Sequence, residues 1–186
     1  DPVRKVIATS EKHKKCYPFE YGQNTATYDY KKSASANISL YAAHPNIRFF
    51  TQDEKYGKTL EYDLMYVNPG NELLITDNVT NQEELRKLFK YLEDGKTVTE
   101  ADTDKVVHSS DESKRIIDSL ALATGPDWDE ETKLKSLIAS RYLLSVSKGG
   151  NALELANALE ENLLLSPPAD FELPEYLNKA IVWSCQ

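Results

Sequence analysis

Between Asn24 and Asp77, short runs of alternating apolar and polar residues are separated by turn-forming residues. Thr59–Val67 shows the pattern best: Leu60, Tyr62, Leu64 and Tyr66 alternate with Thr59, Glu61, Asp63 and Met65. A period of two places successive side chains on opposite faces of a strand, so this segment reads as β. The same reading predicts strands at Ala26–Lys31, Asn37–Ala42, Ile47–Gln52 and Glu72–Thr76, with a further short strand at Val3–Thr9. Asn68-Pro69-Gly70-Asn71 suits a tight turn between two of them, because Pro presets φ and Gly accepts positive φ.

At Thr80 the period changes. Thr80-Asn81-Gln82-Glu83 fits a capping box, and Leu85, Leu88, Phe89 and Leu92 follow at helical spacing up to a stop at Gly95. Further helices are predicted from Asp111 to Ala123, from a cap at 127–130 up to Gly149-Gly150, from Asn151 to Leu165, and from Pro174 to about Trp183. Lys96–Ser110 fits neither pattern, since Val98, Val106 and Val107 flank a polar stretch.

The predicted fold class is therefore α+β: an N-terminal antiparallel sheet of about five to six strands packed against a C-terminal group of four to five helices. One domain over residues 1–186 is expected, strand-rich over 1–78 and helical over 79–186. No strand is followed by a Gly-rich phosphate turn, which argues against a doubly wound nucleotide-binding fold and leaves no cofactor to expect. No apolar run approaches the ~20 residues a membrane helix needs.

Charge divides the chain in the same way. Residues 1–66 hold 10 Lys/Arg against 8 Asp/Glu, whereas residues 67–186 hold 12 against 22, within a total of −8. That balance argues against a general nucleic-acid binder, which needs a positive field to displace counterions from phosphate. Metal ligation is the other chemistry that the acids raise, at Asp102-Thr103-Asp104 and at 127–131, but neither cluster has calcium-loop spacing. The second is better read as the acidic first turn of a helix.

Cys16 and Cys185 are the only cysteines, one near each end. In an oxidising compartment they would form a disulfide worth roughly 4–5 kcal/mol on the chain-entropy model. Asn37-Ile38-Ser39 and Asn78-Val79-Thr80 are glycosylation sequons, and the chain opens Asp1-Pro2-Val3 as either a processed secretory protein or a chain cut at a chosen boundary would. Together these give the expectation of a secreted, extracellular protein, or a cytoplasmic one if the two thiols are free.

Eight of the eleven tyrosines lie between Tyr17 and Tyr66. Tyrosine gives large contact area at low entropic cost, so Tyr21, Tyr28, Tyr30 and Tyr41 are the candidate binding residues, on an aromatic sheet face. The resulting expectation is an interaction protein engaging another macromolecule, as an effector, inhibitor or receptor-binding protein does, with whether it is also an enzyme left open. The alternative is a small hydrolytic or nuclease-like toxin using His13, His44 or His108 with a carboxylate or lysine. No Gly-x-Ser-x-Gly or related catalytic motif is present.

Overall fold

A computed structural model describes residues 5–7, 25–27, 30–53, 56–123 and 126–185. Eight helices make up the architecture among these residues: α1 Tyr30–Tyr41, α2 Leu60–Val67, α3 Gln82–Glu93, α4 Val98–Thr103, α5 Asp111–Leu122, α6 Glu130–Ser145, α7 Lys148–Asn162 and α8 Glu175–Ser184. Two three-residue strands, β1 Lys5–Ile7 and β2 Thr25–Thr27, pair antiparallel. Beyond this pair the described residues hold no sheet, only a single bridge between Val79 and Val146.

The chain is therefore helical, and the α+β expectation is overturned. Residues 30–41, expected to hold parts of two strands, form α1; Thr59–Val67 supplies α2, and Glu72–Leu74 is a 3-10 turn. Ile47–Gln52 is irregular. The physical reason is visible in α2. Eight residues are too few for alternation to exclude a helix, and Leu, Glu and Met are good helix formers. Tyr62, Asp63, Leu64 and Met65 are buried consecutively, which a half-exposed strand would not allow. The Asn68–Asn71 turn does form, with Gly70 at φ +92° and the Asn71 N–H donating to the Asn68 carbonyl at 3.1 Å, but it joins a helix to a 3-10 turn.

The chain divides into two compact units, one within residues 1–63 and 173–186, the other Leu64–Glu172. In the second, α6 packs against α3, α4 and α5. Leu85, Leu88 and Phe89 of α3, Ile116 and Leu120 of α5, and Leu134, Leu137, Ile138 and Tyr142 of α6 form the core. Ser136 and Ser140 are fully buried on α6, where their small side chains let neighbouring elements close in.

Caps settle the boundaries. Gly95 ends α3 at φ +65°, as its position suggested. Thr80 does not cap α3: its N–H and hydroxyl both donate to the Ser145 carbonyl, at 2.8 and 3.1 Å, and Asn81 is the N-cap. The reciprocal capping box forms instead at Thr97 and Glu100, opening α4 within the ambiguous stretch. Asp129 caps α6 by accepting from the Thr132 N–H at 2.8 Å. Gly149 and Gly150 do not stop α6; they lie in the first turn of α7.

In the first unit, Tyr41 at the end of α1 packs its ring 5.2 Å from Phe49, and Phe50 lies 6.2 Å from Trp183 of α8. Helix α8 contributes no buried residue, and its Ile181 and Val182 are exposed.

Candidate functional site

The segment that follows α7 is fixed by asparagines. Buried Asn162 pairs with the backbone of Ala169 in both directions: its Nδ2 donates to the Ala169 carbonyl at 2.8 Å and its Oδ1 accepts the Ala169 N–H at 2.9 Å. Buried Asn68 repeats the arrangement with Glu172, at 2.7 Å each way, and Asn71 Nδ2 donates to the Asp170 carbonyl at 2.7 Å. A carboxamide carries the same donor and acceptor as a peptide group, so these side chains act as fixed strand partners for residues 169–172.

Between the anchors, residues 163–168 form a closed loop. Leu163, Leu164 and Leu165 are 75%, 83% and 59% exposed there. Leu153 on α7 is exposed as well, and the outward positions of that helix include Ala156, Asn157 and Glu160. Three consecutive leucines in water at the tip of a pinned loop are not the scattered surface leucines found on any protein.

A second concavity surrounds the α4–α5 connection. A groove of about 580 Å³ is lined by Asp102, Lys105, His108, Ser109, Lys114 and Asp118 among others. A neighbouring depression of about 500 Å³ shares Lys105 and His108 and adds Glu83 and Lys87. The connection is held from below: the His108 N–H donates to Glu84 Oε2 at 2.7 Å, and buried Arg141 binds Glu84 through Nε at 2.5 Å and Ser113 through Nη1 at 2.7 Å. Lys105 takes a left-handed φ of +53°. The walls mix two lysines with two aspartates, and the His108 ring has no carboxylate hydrogen bond among the described residues, so the pairing that general base catalysis needs is not assembled there.

A third feature is Asp63, buried on α2. Its Oδ1 accepts the Lys58 N–H at 2.9 Å, while Oδ2 has no hydrogen-bond partner among the described residues. Burial is the main cause that pushes its carboxyl from 3.8 up to about 7; the Lys58 bond works against that, and Asp53 and Glu61 add to it. Tyr176, half-buried on α8, is pushed up to about 12 by burial and then by Asp63 and Glu61.

Of the tyrosines expected to bind, only Tyr30 and Tyr41 fall within the described residues. Tyr21, Tyr28, Cys16 and His13 lie outside the described residues. Tyr30 opens α1 and Tyr41 closes it, so they share a helix and not a sheet face, and the Tyr41 ring is engaged by Phe49 and His44. His44 is exposed and accepts the Asn46 N–H through Nδ1 at 3.1 Å. Cys185 is exposed with a free thiol, so the disulfide expected with Cys16 does not hold, and the argument it gave for an oxidising compartment falls with it.

The sequons fare no better as markers. Asn37 is exposed on α1, whereas Asn78 sits half-buried in a turn with its Nδ2 against Gly150 and its N–H donated to Glu154 at 2.8 Å. Nothing supports a glycoprotein. Among the acids, Asp104 accepts from the Tyr91 hydroxyl at 2.5 Å, and Glu130 and Glu131 pair with Lys133 and Lys135. No cluster of three or more metal-ligating side chains occurs among the described residues.

No family model matches the chain, and no curated protein or solved structure matches it either. No helix among the described residues is long and apolar enough to cross a membrane.

Proposed function

We propose that this chain is a protein-interaction module whose contact element is the Leu163–Leu165 loop. The observation that carries the reading is the combination of exposure and anchoring: three leucines largely in water, on a loop whose ends are held by Asn162 and by Asn68 with Asn71. Covering what is exposed of the three leucines is worth roughly 3–6 kcal/mol gross. Association itself costs about 4 kcal/mol or more, so the loop alone makes a weak contact and needs the outer face of α7, with Leu153, to complete it. A loop already held in one conformation loses less entropy on binding, which is the advantage the asparagine anchors give.

A peptide-display selection on the immobilised full chain tests this, with counter-selection on a Leu163→Ser/Leu164→Ser variant of unchanged melting temperature. Enrichment of peptides that the variant fails to retain is the expected result. If no peptide distinguishes the two proteins, the loop is not a recognition element.

A further inference from the structure

The electrostatics around the loop specify the kind of partner it fits. From Gly149 to Glu172 the chain has no Lys or Arg and five acids: Glu154, Glu160, Glu161, Asp170 and Glu172. Glu154 is engaged by the Asn78 N–H, but Glu160, Glu161, Asp170 and Glu172 have no ion-pair partner among the described residues. Two of them, Glu160 and Glu161, occupy the last turn of α7, separated from the leucines only by Asn162. The C-terminal end of a helix already carries partial negative charge, so acids there oppose the macrodipole and weaken the folded chain. No basic residue in that turn offsets them. The arrangement is poor for the free protein and suited to meeting positive charge.

Resting on the reading that the leucine loop is a docking surface, we propose that its occupant is a cationic amphipathic segment of a partner protein. Leucines of the loop and Leu153 meet the apolar side of that segment, and Glu160, Glu161 and Asp170 meet its Lys or Arg residues. A second copy of this chain is a poor occupant, because a symmetric contact sets the same unpaired acids against each other. An anionic lipid surface is repelled for the same reason.

The test uses the full chain and two synthetic fourteen-residue peptides with identical leucine positions, one carrying lysines on its polar face and the other glutamines. Binding is read by fluorescence anisotropy at 50 and 300 mM NaCl. The lysine peptide is expected to bind at least tenfold more tightly at low salt, with the gap narrowing at high salt. Glu160→Gln/Glu161→Gln should bring it to the glutamine-peptide level while raising the melting temperature of the free chain, an opposition that a merely structural role would not produce. Leu163→Ser/Leu164→Ser should remove binding of both.

Equal affinity for the two peptides, lost in the leucine variant, overturns the charge inference and leaves the docking surface standing. Lysine-peptide binding that survives the leucine variant overturns both. Binding of neither peptide, or leucine-dependent binding to phosphatidylcholine/phosphatidylserine vesicles, overturns the cationic-segment inference.

Discussion

Asp63 makes the stability of its unit depend on pH in a direction opposite to that of most carboxylates. The residue is 6% exposed, one carboxyl oxygen has no hydrogen-bond partner among the described residues, and its carboxyl is raised from 3.8 to about 7. The folded chain therefore keeps a proton between about pH 4 and pH 7 that the unfolded chain has released. Stability from this group is fully present below the unfolded value, declines as pH rises toward 7, and stays low above it. The raised carboxyl corresponds to about 4 kcal/mol across that window. Asp63→Asn removes the titration, keeps an oxygen to accept the Lys58 N–H, and adds any fixed cost of a buried amide equally at all pH. The quantity to measure is the wild-type minus variant unfolding free energy, from urea titrations between pH 4.5 and 8.5. Trp183 fluorescence in a Trp128→Phe background restricts the signal to the unit that holds Asp63. The difference should shift against the wild type by several kcal/mol with rising pH. A difference constant to within about 0.5 kcal/mol would refute the claim that Asp63 is buried and protonated.

Two further expectations concern the second unit. Arg141→Met strands the nearly buried Glu84 without its cation and should cost about 3–5 kcal/mol in chemical denaturation, with Glu84→Gln added to it restoring part of the loss; a loss under 1 kcal/mol would mean the pair is solvated. Asn162→Ala removes both anchors to Ala169 and should cost about 1–2 kcal/mol while accelerating amide exchange at Ala169; unchanged exchange there would show that the loop holds itself.

The helical half was legible because its signals are long and reinforced by caps. Asp111–Leu122, the Asp129 cap and the Gly95 stop all stand where sequence spacing placed them. The N-terminal half misled because its segments are short. A run such as Thr59–Val67 satisfies the strand period and the helix period at once, and burial on all sides of Tyr62–Met65 decided between them. Capping chemistry shows the same limit. Thr80-x-x-Glu83 and Thr97-x-x-Glu100 are equivalent patterns in sequence, yet the Ser145 carbonyl takes both donors of Thr80, and only the second box forms. A partner 65 residues away is invisible to local reading.

The candidate site was hidden for a related reason. Leu163–Leu165 before Ser166-Pro167-Pro168 looks like the end of an amphipathic helix, in which at least one leucine would face a core. What turns them outward is that α7 stops at Asn162, and Asn162 then folds its carboxamide onto Ala169. Asn68 and Asn71 hold the far side of the loop from 99 to 104 residues earlier in the chain. Asparagine is usually read as a turn or cap residue, and three used as backbone surrogates have no local signature. The acids that flank the loop could be counted from the sequence, and the excess of 22 against 12 after Val67 had already placed the negative charge in this half. Charge composition thus survived the change of fold class where residue pairing did not, because net charge in a segment does not depend on how its backbone is paired. The recognition argument accordingly moves from tyrosines on a five- to six-stranded sheet that the described residues do not form to leucines whose exposure and acidic setting both follow from where α7 ends.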